Sequence, residues 1–335
     1  MRGDVGYTAE RMISFEPHPL LRNNHVMTLA AKFAVRRFPS LPAPAERLFE
    51  TEPGTQILGH CHWQTEPAKR PAIVLVHGLE GSSDSGYMRG IAEKAFAAGF
   101  SVVRLNQRNC GGTERLTPTL YNSGLSGDYR AVLLELAERD SITDIFFAGY
   151  SMGGNLVLKM AGEFGASAPR QLRGVAAVCP SLDLAACADA LERRDNILYQ
   201  HHFVRGLMRR YRTKKKLFPE HYSMNGLPKI RTLREFDDVI TAPLSGYRDA
   251  VDYYFRASAL RVMGQIRVPT LILASQDDPF VPLQSFSDPA ITTNPKISLI
   301  TPQHGGHCAF ISRTAGVERF WAEARVVEFF RARVS

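Results

Sequence analysis

The stretch GYSMGG, residues 149–154, holds the side chain best suited to act as a nucleophile. Ser151 follows an apolar run, residues 145–148, and precedes a helix-forming stretch. This setting of the Gly-x-Ser-x-Gly pattern predicts a strained strand-to-helix turn that lifts the serine hydroxyl above the end of a strand. Gly149 and Gly153 suit such a turn, because a side chain there would collide with the adjoining strand or helix. The pattern is short, so an ordinary serine in a glycine-rich loop is the competing interpretation.

A serine hydroxyl is a weak nucleophile near neutral pH and needs a base, which in turn needs an orienting acid. Asp278 follows a predicted strand over residues 270–274, and His307 follows another over residues 297–301. The order serine, acid, histidine, with the last two after the final strands, suits a hydrolytic triad. We therefore predict that Ser151, Asp278 and His307 are catalytic.

Both partners of the serine have a competitor nearby. Asp277 adjoins Asp278, but the segment DPFVP begins at Asp278 and resembles the turn that carries the acid in such enzymes. Asp277 is then left to cap the following turn. His304 precedes His307, but the sequence GGH favours His307 as the base.

Acyl transfer also requires donors for the negative charge that develops on the substrate oxygen. The backbone N–H of Met152, directly after the nucleophile, is one predicted donor, and that of Leu79 in the loop HGLEG, residues 77–81, is the other. HGLEGSS could instead be a phosphate-binding loop, but it lacks the lysine of a P-loop, so this alternative is not favoured. His77 is interpreted as structural.

Cysteine and histidine side chains suggest two further chemistries. Cys308 beside His307 could form a Cys-His pair, although chain neighbours rarely orient for proton transfer. The five cysteines contain no CxxC, and no HExxH or comparable ligand set accompanies the histidines. We therefore expect no metal and no organic cofactor. His60 and His62 alternate on a predicted strand and are expected to face solvent.

Composition bounds the class of protein. The 335 residues are 44% hydrophobic and 22% charged, values typical of a water-soluble globular chain with a sizeable core. No apolar run reaches the length of about 18 residues that predicts a membrane span. The N-terminus lacks the apolar core of a signal peptide, so the expected location is the cytoplasm.

Strands and helices alternate along most of the chain. Two strands joined by a turn at Pro53 and Gly54 predict an antiparallel start, and buried apolar strands then alternate with helices, one of them with Asp128 as its N-terminal cap. This rhythm predicts a mainly parallel sheet covered by helices on both faces. It stops at residues 184–260, which predict an inserted helical cap. The expected division is an arm over residues 1–44, a core over 45–183 and 261–335, and that cap.

The predicted cap contains a basic run from Arg205 to Lys216, and the whole chain carries a net charge of +8. A solvated helix face is the favoured interpretation of this run. Contact with anionic membrane surfaces or acidic acyl substrates is the functional alternative. Nucleic acid is not expected as a partner, because no binding module accompanies the charge.

Longer motifs narrow the family. The segments FEPHPLLRNNHVMTL, HGLEGSSDSGYMRG, NQRNCGG, GYSMGGN, FDDVITAP, DYYFRAS and ASQDDPFVP together resemble the YheT-like members of the α/β-hydrolase superfamily. These are bacterial relatives of the mammalian α/β-hydrolase-domain 1 and 3 lipid hydrolases, and the similarity covers roughly residues 15–330. The resemblance implies an α/β-hydrolase fold and a cytoplasmic carboxylesterase-like activity, with the triad roles falling on Ser151, Asp278 and His307.

The resulting expectation is a serine hydrolase that cleaves carboxylic esters of short to medium acyl chains through an acyl-enzyme. Its expected partner is a small-molecule acyl ester or a lipid-like substrate. Lipase, phospholipase or thioesterase activity is the alternative within enzymes, because the same triad serves all of these bonds. A catalytically silent binding protein of the same fold is the alternative outside them.

Overall fold

The structure is a computed structural model that describes residues 14–334. The first 13 residues, which include the start of the predicted arm and the segment judged for a signal peptide, lie outside the described residues, as does Ser335. The division into arm, core and cap stays a prediction.

A single eight-stranded sheet forms the centre of the described chain, in the order β1-β2-β4-β3-β5-β6-β7-β8. Strand β2 pairs antiparallel with both β1 and β4, and the remaining pairs are parallel. The predicted antiparallel start and parallel remainder are therefore confirmed. The strands are β1 Ala45–Glu52, β2 Thr55–His62, β3 Ala72–Val76, β4 Ser101–Leu105, β5 Ile145–Tyr150, β6 Leu172–Val178, β7 Thr270–Leu273 and β8 Ile297–Ile300.

Helices cover the sheet because its central strands are apolar on both faces. Every residue of β3, β4 and β5 is buried, and β3 and β5 are the continuous apolar runs expected of strands covered on both faces. One buried cluster lies on each face. The helices outside the insertion are α1 Asn24–Phe33, α2 Gly86–Ala97, α3 Ser126–Glu138, α4 Met152–Phe164, α10 Pro289–Thr292 and α11 Trp321–Arg331.

The inserted segment is helical, as its lack of buried-strand patterns predicted. It contains α5 Leu184–Leu191, α6 Ile197–Leu217, α7 Leu233–Phe236, a π-helix Asp237–Thr241, α8 Ala242–Leu244 and α9 Ala250–Ala257. Short 3₁₀ turns complete the described chain, at Pro19–Leu21, Pro67–Lys69, Gly165–Ser167, Arg194–Asn196, Ala259–Gln265, Leu283–Ser287 and Gly316–Arg319.

Arg36, which belongs to the predicted arm, is tied to α11 by buried charges. Arg36 forms two hydrogen bonds with Glu323, at 2.6 and 2.8 Å, and Lys94 binds the same carboxylate at 2.6 Å. The Glu323 side chain is only 4% exposed. Removing one cation from such a buried group is costly, so Arg36 is held firmly between α2 and α11.

Asp128 does not cap α3, contrary to the prediction. The helix begins two residues earlier, at Ser126. The Asp128 carboxylate instead accepts two hydrogen bonds from Arg108, at 2.8 and 2.6 Å. A buried guanidinium binds a carboxylate with two parallel bonds, which outweighs a single bond to a backbone N–H.

The prediction that His60 and His62 face solvent is wrong. The His60 side chain is only 14% exposed, with its Nδ1 2.9 Å from Ser83 Oγ, and His62 is buried more deeply. Its exposure is 1%, and its Nε2 accepts a hydrogen bond from Arg104 at 3.1 Å. Strand β2 is an interior strand, so both of its faces are covered near its end. Burial first, and then the charge of Arg104, lowers the pKa of His62 to about 4.

The lowered pKa of His62 predicts a loss of stability in acid. The unfolded chain takes up this proton near pH 6.5, the folded chain only near pH 4. The stabilisation is therefore present above pH 6.5 and is lost towards pH 4, a total of about 3 kcal/mol. Urea unfolding between pH 7 and 4.5 should show a steeper fall for the wild type than for His62→Gln. His60→Gln is the control, and equal slopes for all three proteins would contradict the prediction.

Candidate active site

Ser151 lies in the sharp turn between β5 and α4. Its φ of 54° and ψ of −119° are strained for a residue with a side chain. The turn is fixed by the Ser151 N–H, which donates to the Val178 carbonyl at 2.9 Å. A Cβ on Gly149 would collide with the Gly153 carbonyl, and one on Gly153 with the Val76 carbonyl. The predicted strained turn is therefore present, and both glycines are required for it.

His307 and Asp278 meet at the carboxyl edge of the sheet. His307 Nδ1 lies 2.9 Å from Asp278 Oδ2 and 3.1 Å from Oδ1. The Asp278 side chain is 2% exposed and that of His307 14%. Burial lowers the pKa of His307, but the Asp278 carboxylate and Cys308 outweigh it and raise this pKa well above 6.5. The arrangement can fix one imidazole tautomer and stabilise an imidazolium.

The competing residues Asp277 and His304 form a second pair beside the first. Asp277 Oδ2 lies 3.4 Å from His304 Nδ1, and its Oδ1 accepts the Gly306 N–H at 2.9 Å. The turn that Asp277 was expected to cap is capped by Asp278, whose Oδ1 accepts the N–H groups of Phe280 and Val281. Asp277 therefore holds the histidine loop, while Asp278 contacts His307.

The loop after β3 runs directly beside the serine. A Cβ on Gly78 would lie 3.1 Å from Ser151 Cβ. The N–H groups on either side of Leu79 are engaged, that of Gly78 by Tyr87 Oη at 3.0 Å and that of Glu80 by Tyr121 Oη at 3.2 Å. Met152 begins α4, where the first N–H groups have no partner within the helix.

His77 is structural, as expected. It is fully buried, its Nδ1 lies 2.8 Å from the Gly78 carbonyl, and its Nε2 accepts the Gln107 N–H at 3.2 Å. Burial is the first cause that lowers its pKa, to about 4. A neutral imidazole at this point links the loop after β3 to the loop after β4.

Two residues that contact the site were not predicted to do so, although both lie in the segment FEPHPLLRNNHVMTL that contributes to the family resemblance. The His307 N–H donates to Thr28 Oγ1 at 2.9 Å, and Asn24 Nδ2 donates to the Asp277 carbonyl at 2.8 Å. Both partners lie on α1, about 280 and 250 positions away in the chain. The predicted arm thus helps to position the histidine loop, which local patterns could not reveal.

Two cavities converge on Ser151 and His307, and both residues line each of them. The first lies under the inserted helices, encloses about 100 Å³ and includes Leu79 and Met152. Its apolar walls are Leu120, Leu184, Leu191, Leu207, Leu233 and Phe236. Asp237 adds a polar group, bonded to Tyr254 Oη at 2.8 Å, and burial raises the pKa of Asp237 to about 6.

The second cavity encloses about 370 Å³ and is more polar. Lys32, Arg36, Glu80 and His202 line it, so α1, the loop after β3 and α6 all contribute. One nucleophile therefore faces two spaces of different chemistry, an apolar one and a charged one.

The chemistry of this site and the order of its elements match a known family. A family model described as the alpha/beta hydrolase fold matches residues 71–314, more than half of the chain. The chain is an α/β hydrolase. Together with the sheet described above, this confirms the fold class predicted from the sequence. The relatives described next support the predicted hydrolase class.

Curated relatives of this hydrolase support the narrower resemblance. The putative esterase YheT of Escherichia coli strain K12 is 32% identical over 80% of this chain and 79% of the relative. The phospholipase ABHD3 of Mus musculus is 30% identical over 74% of this chain, which spans only 60% of that protein. A medium-chain fatty acid ethyl ester synthase/esterase 2 from Saccharomyces cerevisiae is 30% identical over 78% of this chain and 62% of the relative.

Solved structures share the fold of this hydrolase. The esterase Pf2001 of Pyrococcus furiosus superposes with a TM-score of 0.57 and 16% identity, over 90% of this chain and 98% of that one. Est1E of Butyrivibrio proteoclasticus, with bound ferulic acid, superposes with a TM-score of 0.56 and 16% identity. The match covers 86% of this chain and 98% of Est1E. At these identities the likeness concerns the fold alone. No helix within residues 14–334 is long and apolar enough to span a bilayer.

Proposed function

We propose that the protein is a serine esterase in which Ser151 attacks the carbonyl of a carboxylic ester. His307 accepts the serine proton and returns it to the leaving alcohol, Asp278 orients the imidazole, and a water molecule then releases the acid from the acyl-enzyme. The observation that carries this proposal is that the strained Ser151 and the Asp278-bound His307 line the same apolar cavity.

The backbone N–H groups of Leu79 and Met152 are the proposed donors to the oxyanion. Both residues line the cavity with Ser151, and Met152 opens a helix whose positive end faces the turn. Donors of this kind typically contribute about 3 to 4 kcal/mol each to transition-state stabilisation. Because the groups belong to the backbone, side-chain replacement does not remove them.

No direct hydrogen bond joins Ser151 Oγ to His307 among the described residues. Catalytic hydrogen bonds of this type often become short only when substrate binds. Labelling with a fluorophosphonate, which requires an activated serine, tests the pair directly. Wild-type protein should be labelled stoichiometrically at Ser151, and an unlabelled, correctly folded wild type would disprove the proposed activity.

The two cavities support an assignment of substrate parts. The acyl chain occupies the first cavity, and its size of about 100 Å³ favours short to medium chains. The alcohol occupies the larger, charged second cavity. A p-nitrophenyl ester series from two to twelve carbons would give the chain-length preference.

Filling the first cavity should shorten the preferred acyl chain. Ala188 lies on α5 and lines this cavity, so Ala188→Phe replaces part of the acyl space by a ring. We expect the ratio of kcat/KM for butyrate over octanoate esters to rise about tenfold. Ala186→Phe, on the same helix but outside the cavity lining, is the matched control. An unchanged ratio in folded Ala188→Phe would place the acyl chain elsewhere.

A lipid substrate is the second candidate function, and the basic run supports it. The run is not one solvated face. The Arg210 side chain is only 10% exposed and lies 3.1 Å from the Glu80 carboxylate, and Lys214 donates to the Glu114 carbonyl at 2.7 Å. The other arginines of the basic run line an open cleft, together with Lys32 and His202. Lys32 and His202 also line the second cavity, so the cleft adjoins it. These arginines are Arg205, Arg209 and Arg212.

Loss of two cations from this cleft should weaken contact with anionic membranes. Each arginine near such a surface contributes about 1 kcal/mol, so Arg205→Gln with Arg209→Gln should lower vesicle affinity by more than tenfold. Sedimentation with phosphatidylserine vesicles measures this affinity. The exposed Arg139 paired with Glu135 offers a single-charge control, Arg139→Gln. If Arg139→Gln lost as much vesicle affinity per removed charge, the affinity would depend on net charge and not on the cleft.

A further inference from the structure

A pair of cysteines lies beside the proposed catalytic histidine. One donor atom from each of Cys179, His307 and Cys308 lies within 4.8 Å of the other two. The Cys308 N–H donates to Cys179 Sγ at 3.3 Å, and Cys308 Sγ lies 3.4 Å from the Val178 carbonyl. These three residues are called the thiol cluster. The proposed ester hydrolysis uses His307 alone.

The fold builds the thiol cluster from two separate segments. Cys179 directly follows β6, and Cys308 lies in the loop after β8. The two residues are 129 positions apart in the sequence but meet at the carboxyl edge of the sheet. Both residues have left-handed backbones, with φ of 45° for Cys179 and 61° for Cys308. Such conformations are costly for cysteine and persist only where the surroundings impose them.

The surroundings shift the pKa values of the two thiols in opposite directions. Burial, and then Cys308, raises the pKa of Cys179 well above 9. Burial also acts against ionisation of Cys308, but hydrogen bonding with Cys179 and the charge of His307 outweigh it and lower this pKa to about 6. Metal binding itself displaces thiol protons, so the case for a site is carried by the positions of the three donor atoms, which lie within 4.8 Å of one another.

We propose that the thiol cluster binds a thiophilic divalent cation, of which Zn²⁺ is the prototype, and that the bound ion inhibits the enzyme. Two thiolates and one imidazole are a common zinc ligand set, completed by water in the fourth position. The donors of a tetrahedral zinc site lie roughly 3.7 Å apart, so small side-chain shifts suffice.

Charge and access favour this occupant. Binding releases the thiol protons, and two thiolates neutralise the charge of the ion, which suits a site where Cys179 is fully buried. Cys308 lines the second cavity, which gives the ion a route to the site. Asp278 supports the imidazole in the way that a carboxylate supports a zinc-bound histidine.

Inhibition follows from the use of the imidazole lone pair. An imidazole that donates this pair to a metal cannot accept the serine proton. This consequence rests on the proposed function of His307, whereas binding of the ion does not. The sequence alone led to the opposite expectation, because Cys179 and Cys308 form no short spacing motif.

The test measures binding and inhibition separately. Reduced full-length protein is titrated with Co²⁺ under nitrogen, and we expect near-ultraviolet thiolate-to-cobalt absorption that saturates at one equivalent. Zn²⁺ should displace the Co²⁺. Cys179→Ser and Cys308→Ser should each weaken binding at least about tenfold, or 1.4 kcal/mol. Cys187→Ser, which alters a cysteine outside the cluster, and Ser151→Ala should bind as the wild type does.

Activity provides the second readout. Zn²⁺ should inhibit the wild type over the concentrations at which it binds, and chelation by EDTA should reverse the effect. Cys179→Ser and Cys308→Ser, each compared with its own metal-free rate, should require at least about tenfold more Zn²⁺ than the wild type for the same fractional inhibition. No thiolate absorption, or equal binding by all variants, would overturn the site. Binding by the thiol cluster without inhibition would overturn its inhibitory role, and an inactive wild type would contradict the esterase proposal while the binding result still stands.

Discussion

Replacing Ser151 by alanine is expected to lower kcat for a p-nitrophenyl butyrate substrate by at least about 10⁴-fold. The hydroxyl is the atom that would form the acyl-enzyme, and in serine hydrolases the machinery left behind retains only a small residual rate. The loss should fall on kcat, since the cavity that binds the acyl chain is unchanged. End-point assays with freshly purified protein, free of host esterases, measure the residual kcat.

The fold of the Ser151→Ala variant should be intact. Alanine lacks only the hydroxyl oxygen and can occupy the same strained turn, whose shape is set by Gly149 and Gly153. Circular dichroism and the midpoint of thermal unfolding should match those of the wild type. Retention of more than about a tenth of the wild-type rate would mean that Ser151 is not the nucleophile.

Asp278→Asn should reduce kcat by about 10⁴-fold, whereas the adjacent Asp277→Asn should cost less than about tenfold. An amide at position 278 has no negative charge to stabilise the imidazolium, and its NH2 group can donate to Nδ1 of His307 and so hold the wrong imidazole tautomer. Asp277 contacts His304 and the Gly306 N–H instead, and an amide oxygen can still accept the latter bond. Initial rates of ester hydrolysis for the two variants, measured side by side, make the comparison.

The two aspartate variants control for each other's loss of negative charge. Both variants remove one negative charge at neighbouring positions, so a general electrostatic effect would affect them equally. Asp278 also caps the turn at Phe280 and Val281, and unfolding midpoints would reveal any loss from that role. Equal activity of the two variants would refute the assignment of Asp278 as the orienting acid.

The predicted strands and the turn at Ser151 depend on local sequence. Short continuous apolar runs such as Ala72–Val76, followed by a glycine-containing loop, favour buried strands, and the glycines flanking Ser151 permit a turn that other residues would block. The sequence also orders an acid and a histidine after the last strands. These features are readable because each depends on neighbours within a few residues.

Contacts between distant segments could not be read in this way. The alternation of His60 and His62 indicated solvent exposure, but the environment of β2 depends on what covers the sheet, and His62 is buried against Arg104. Asp128 has the position of a helix cap, yet Arg108 provides a stronger partner. In both residues a tertiary charge contact replaced the locally expected one.

The sequence by itself therefore determined the fold class, the strained turn and the candidates for nucleophile, base and acid, because residue type and short spacing encode them. Only the tertiary structure decided which aspartate meets His307, that Thr28 holds the histidine loop and that Cys179 lies against Cys308. Those contacts join segments up to 279 positions apart. They form because the carboxyl ends of parallel strands meet at one edge, a closeness that no local pattern records.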